Sequence, residues 1–211
     1  MKLRYLSIFA AIMLGSMVAS AADDSFFQVH YASNLPIGDS VINATNTGAS
    51  STVALPTQNG NICMNVYTFS PDEQLISCCT CPITPDGLVS LSARNDLISN
   101  TLTPGVPTSI VIKLVGSTGT PACNASTVTF LGDNKLVQGL AAWGTTIHAL
   151  PVTPGSPATT FGVTETAFTN STLSAAELVR ITSLCGFIQT NGSGFGICRS
   201  CRFGGLGATQ E

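Results

Sequence analysis

Short apolar or alternating runs recur along the chain, separated by turn residues, and this rhythm predicts a mainly β protein. Phe27, Val29 and Tyr31 share one face of a first strand, with Gln28 and His30 on the other, more polar face. Val41 to Thr45 follows Gly38-Asp39, and residues 46–60, rich in Asn, Gly, Ser and Thr, read as a long loop. Ile62, Met64 and Val66 then alternate with Cys63, Asn65 and Tyr67. Further strands are expected at 75–77, 88–91, 109–115, 127–130, 145–149 and 161–164, with punctuating loops at 103–107 and 151–157. Ile110-Val111-Ile112 is apolar on both faces, as a mid-sheet strand requires.

One helix is signalled near the C-terminus. Ser174 and Glu177 have the spacing of a capping box, with Leu173 and Leu178 placed as a hydrophobic staple. Leu178, Ile181, Cys185 and Ile188 fall on one stripe at helical spacing, and Asn191-Gly192 supplies the stop. The expected architecture is a β-sandwich-like domain, Ig-like or jelly-roll-like, over residues 22–170. A C-terminal helix and a disulfide-clipped, glycine-rich tail over 171–211 would pack on it.

The first residues read differently. Lys2 and Arg4 precede an apolar run of 14 residues from Tyr5 to Val18, and Ala19-Ser20-Ala21 offers small residues at a cleavage site. That is the three-part pattern of a signal peptide over residues 1–21. The run is shorter than the ~20 residues that span a bilayer, and no later segment is long and apolar enough to span. Loss of the leader takes the formal charge from −3 to −5. The expected location is secreted or extracytoplasmic, either extracellular or periplasmic.

Export changes the meaning of the eight cysteines, Cys63, Cys78, Cys79, Cys81, Cys123, Cys185, Cys198 and Cys201. In an oxidising compartment an even set reads first as a disulfide framework. The rival is zinc, because Cys78–Cys81 and Cys198–Cys201 both have C-x-x-C spacing. A hairpin turn centred on Asp72 places Tyr67 opposite Ser77 and Cys63 opposite Cys81. Cys63–Cys81 is then the first expectation, with Cys63–Cys79 as the one-step slip. Cys123 would take Cys78 or Cys79, and Cys185 would bridge Cys198 or Cys201.

The segment from Leu184 to Cys201, with its glycine-rich centre, and the segment from Ser70 into Cys78-Cys79 resemble an uncharacterised family of exported bacterial proteins. No activity is attached to that family, so the resemblance implies only the compartment and the cysteine framework.

Composition narrows the chemistry. Only 9% of residues are charged, against roughly 25% in ordinary soluble domains, while 22 serines and 26 threonines supply hydroxyl groups instead. With 8 Lys+Arg and a pI near 5.2, the chain has no means of neutralising a row of phosphates, so no nucleic-acid partner is expected. His30 and His148 are expected at solvent-facing or rim positions. No serine lies in a Gly-x-Ser-x-Gly elbow, and Gly192-Ser193-Gly194 follows the helix rather than opening one. The acidic residues include Asp72, Glu73 and Asp86 in turns and Glu177 at the helix cap, and no pair stands out for glycoside hydrolysis. Trp143 is a candidate sugar-stacking platform or a core residue. Asn43, Asn124, Asn170 and Asn191 begin N-x-S/T sequons.

No catalytic residue, metal ligand or cofactor is assigned. The sequence therefore favours a secreted noncatalytic structural, surface or binding protein over an enzyme, with self-association or cell-envelope components as partners. The alternative is a secreted hydrolase or a zinc-binding protein using the C-x-x-C segments.

Overall fold

The structure, a computed structural model, describes residues 25–50, 60–98, 105–119, 121–149, 161–191 and 198–201. Nine strands carry the fold: β1 (Phe27–Ser33), β2 (Val41–Asn46), β3 (Ile62–Phe69), β4 (Leu75–Ile83), β5 (Leu88–Ser92), β6 (Ser109–Ser117), β7 (Leu140–Ala149), β8 (Phe161–Ala167) and β9 (Thr169–Asn170). They form two antiparallel sheets, one in the order β4-β3-β6-β1-β9 and the other β5-β2-β7-β8. Among the described residues one α-helix, α1 (Ala175–Thr190), follows. The expected sandwich-like architecture with a C-terminal helix is thus the one observed.

Two apolar clusters make three layers. Between the sheets, Met64, Val66, Ile112 and Leu114 meet Ile42, Val89, Leu91 and Leu140. On the other face of the five-stranded sheet, Phe27, Tyr67, Phe69 and Val115 meet Leu173, Leu178, Ile181 and Cys185 of the helical layer. The five-stranded sheet is therefore covered on both faces, and all eight residues of β3 are buried. Ile110-Val111-Ile112 lies in β6, between β3 and β1, as its two-faced apolarity requires.

The helix follows its sequence signals closely. The Ser174 hydroxyl accepts from the Glu177 backbone N–H, and Leu178, Ile181, Cys185 and Ile188 are the buried positions. Each such Leu or Ile stabilises by about 1.5–3 kcal/mol on full burial. The Glu177 carboxylate is held by Arg180 at 2.9 Å and by Lys113 of β6 at 2.5 Å, which ties the helix to the sheet. These cations, Arg180 first, hold the carboxyl below the usual glutamate range.

Three expectations are overturned. Residues 127–130 do not form a strand. A 3₁₀ turn at Ala125–Thr127, capped by Asn124, gives way to an isolated bridge between Thr129 and Lys135. Asn134, at φ 51°, knots this loop by accepting from Ser117 and donating to Asn124 and Thr127.

The second correction concerns the β3–β4 register. Phe69 faces Leu75, as a turn centred on Asp72 dictates, but a bulge between Thr68 and Phe69 inserts one extra residue on β4. Beyond it Tyr67 faces Cys78, Cys63 faces Pro82 and Cys81 faces Met64. A one-residue shift reverses which face a side chain occupies relative to its expected neighbour. Cys63 and Cys81 now point to opposite faces of the sheet, so neither Cys63–Cys81 nor Cys63–Cys79 can form.

The third correction is the pairing itself. The bridges are Cys63–Cys123, Cys78–Cys185, Cys79–Cys198 and Cys81–Cys201, with Cα separations of 5.5, 5.7, 4.9 and 5.6 Å. Alternation along β4 sorts them. Cys78 points to the helical layer and takes Cys185, whereas Cys79 and Cys81 point between the sheets and take the tail. Cys123 therefore does not use Cys78 or Cys79, and Cys185 does not reach Cys198 or Cys201. Gly119 (φ 64°) passes the Cys63–Cys123 bridge so closely that a Cβ there would overlap the Cys63 sulfur.

Candidate binding groove

The sandwich has two open sides, where strands of both sheets end. On the β4/β5 side the tail fills the gap. Cys198 and Cys201 are buried in the inter-sheet core, and the Cys198 N–H donates to the Thr80 carbonyl of β4 at 3.1 Å. Asp96, 1% exposed in a π-helical turn at Ala93–Ile98, accepts from the Ser92 N–H, the Ser200 N–H and the Ser200 hydroxyl at 2.8–2.9 Å. Two bridges and one carboxylate thus anchor a tail of four described residues.

The opposite side is closed by a crossing strap. After β8 the chain leaves the four-stranded sheet, with the Phe168 N–H on the Ala142 carbonyl at 2.8 Å. It then joins the five-stranded sheet, where β9 pairs with Gln28 and Val29 and the Ser171 N–H donates to the Phe27 carbonyl at 3.1 Å. Beneath the strap lie the inward side chains of β1. His30 stacks on the Phe168 ring at 4.6 Å between centroids, and Gln28 donates to the Leu140 carbonyl at 2.8 Å. The imidazole also lies flat on Gly144 of β7, where a Cβ would overlap it.

His30 therefore corrects the expectation of a solvent-facing or rim histidine: it is 8% exposed. The more polar face of β1 is the inward one, because the helical layer covers Phe27 on the other. The buried His30 Nε2 and Gln28 Oε1 have no hydrogen-bond partner. Burial pushes the His30 pKa below the ordinary histidine value. His148, on the same strand as Gly144, is half-buried.

Beside the strap runs a groove of about 580 Å³, lined by His30, Tyr31, Thr146, Thr166, Thr169 and Ser171 together with short apolar side chains. Its polar groups are hydroxyls and one imidazole, and no carboxylate or ammonium lines it. Tyr31 is 55% exposed at the rim. A smaller hollow of about 110 Å³ across the strap is lined by Gln28, Phe168 and the half-buried Trp143.

The groove thus suits an uncharged, hydroxyl-bearing or main-chain ligand better than an ion. Among the described residues, no hydrogen bond joins either imidazole to a serine or a carboxylate.

Four of the described carboxylates serve the scaffold. Asp39 accepts from the Ser40 and Arg94 N–H groups and the Ser92 hydroxyl, Asp96 holds the tail, Glu165 accepts from Asn43, and Glu177 caps and ties the helix. Asp23, Asp24, Glu211 and Ser193 lie outside the described residues. Asn43 and Asn124 spend their side chains on local hydrogen bonds, to Ser90 and Glu165 and to Ser126 respectively.

The zinc expectation is half met in space and corrected in chemistry. Cys79, Cys81, Cys198 and Cys201 do converge, but as two covalent pairs rather than four thiolates. No free cysteine is present and, among the described residues, no group of three or more His, Cys, Asp or Glu is placed to hold a metal.

Four disulfides in one chain are the chemistry of an oxidising, extracytoplasmic environment. No helix among the described residues is long and apolar enough to cross a membrane, a statement that leaves strands untouched. No family model matches the chain, and neither a curated protein nor a solved structure matches it.

Proposed function

We propose that this is an exported, noncatalytic structural, surface or binding protein, whose contact region is the open side of the sandwich around the β1–β8 groove. The observation that carries the reading is the division of labour among polar groups. The cysteines are consumed in bridges and Asp39, Asp96, Glu165 and Glu177 in scaffold contacts, while the groove beside the strap presents uncharged hydroxyls. An extended partner segment is the class of ligand such a surface receives, through main-chain hydrogen bonds at a strand edge.

Mass spectrometry of native material under nonreducing conditions tests the first half. The leader is expected to be absent through Ala21, with four linked peptide pairs matching the bridges above. Recovery of an uncleaved chain with alkylatable thiols overturns export. Treatment with a fluorophosphonate probe tests the second half: no serine is expected to be labelled, and stoichiometric labelling overturns the noncatalytic reading.

A further inference from the structure

A sheet edge left bare is a template for another strand, and soluble proteins blunt such edges with bulges, charges, proline or covering segments. Among the described residues the two sheets have four edge strands, and three are covered or short. The tail donates to β4 at Thr80, β5 runs into the turn at Ala93–Ile98 that Asp96 knits to the tail, and β9 is two residues long. The fourth, β8, is not. It pairs only with β7 among the described residues, runs for seven residues, and has every residue exposed except the half-buried Gly162. Its sequence, Phe161-Gly162-Val163-Thr164-Glu165-Thr166-Ala167, is rich in strand formers and contains no lysine, arginine or proline.

We infer that β8 is a self-association edge, and that its occupant is β8 of a second copy, paired antiparallel about a two-fold axis at Thr164. An antiparallel edge is self-complementary under such an axis, and this register keeps the two Glu165 carboxylates from facing each other. Val163 of each copy then faces Glu165 of the other, and Phe161 faces Ala167, so the only charge on the strand meets an apolar group. Glu165 is already held on its own sheet by Asn43 at 3.2 Å. Two four-stranded sheets become one of eight strands, and the 65% exposed Val163 is covered. The role assigned to this dimer rests on the noncatalytic reading above, but its geometry does not, and association is measured separately from cleavage and labelling.

Sedimentation velocity of the mature, disulfide-intact protein from low micromolar to several hundred micromolar is the test, with a charge pair at one site. A reversible dimer is expected. Val163→Glu opposes Glu165 of the other copy twice over, whereas Val163→Lys attracts it, so their dissociation constants should differ by about tenfold with unchanged melting temperatures. A protein that stays monomeric, or two variants with equal effects, overturns the proposal. Hydrogen exchange of wild-type β8 amides gives an independent reading: protection must rise with concentration, and protection that does not rise overturns it equally.

Discussion

The two open sides of one sandwich are closed by opposite means. On the β4/β5 side, the tail is held by Cys79–Cys198, Cys81–Cys201 and the Asp96 clamp, and its backbone covers the β4 edge. On the β1/β8 side, a strap is held by main-chain bonds and by one aromatic stack, over a His30 Nε2 and a Gln28 Oε1 that lack partners among the described residues, beside a bare strand. The first arrangement resists opening because two of its ties are covalent and its buried carboxylate, Asp96, accepts three hydrogen bonds. The second closes the core while leaving main-chain groups free to meet another strand. Contact functions are drawn from the less stable parts of a fold, and this contrast is what the proposed contact region on the β1/β8 side rests on.

The largest test of that contrast is removal of both tail bridges by Cys79→Ala/Cys198→Ala with Cys81→Ala/Cys201→Ala. They close sequence separations of 119 and 120 residues, and losing a native bridge costs about 2–5 kcal/mol. Calorimetry should show a large fall in melting temperature, with the β1/β8 groove the less affected region in hydrogen exchange. On the other side, Gly144→Ala drives a methyl into the His30 ring, an overpacking that costs about 1–3 kcal/mol. Adding His30→Ala should restore part of that loss, and two additive effects in denaturant melts would refute the close approach.

Asp96→Ala leaves the Ser92 and Ser200 N–H groups without their acceptor, at about 1–3 kcal/mol. Faster amide exchange at residues 198–201 is its specific signature.

The smallest effect is pH-dependent. His30 binds its proton more weakly in the folded protein than in the unfolded chain. Its contribution is therefore intact above the ordinary histidine value of about 6.5. It is lost progressively as pH falls through that value toward the lower folded one. Urea melts at pH about 8 and about 5 should show this loss in the wild type and a flatter response in His30→Gln. An identical slope in the variant would remove His30 from the account of the strap.

Much of the fold was legible because its signals are local. Ser174, Leu178, Ile181, Cys185 and Ile188 announce a capped amphipathic helix within one short window, and the structure uses each as its spacing implies. Alternation at Ile62–Tyr67 and the two-faced run at Ile110–Ile112 likewise marked strands that lie mid-sheet. The apparent strand at 127–130 failed because Asn124 and Asn134 offer the backbone side-chain partners that displace a ladder.

The candidate groove was hardly legible at all. Its lining comes from five strands spread along the chain, and the inward side of β1 is its more polar one. That inversion is decided by what covers Phe27, not by β1 itself.

From the sequence alone came the β-rich class, the helix with its buried stripe, and the opposite pointing of Cys78 from Cys79 and Cys81. All of these depend on covalent composition or on a period of two or 3.6 residues. Which sulfur meets which, that His30 is buried, and that one edge of four stays bare were decided by tertiary structure. The physical reason is a single bulged residue and the order of strands in two sheets. Register and sheet order are set by contacts between segments as far apart as Gln28 and Asn170, which no local pattern encodes.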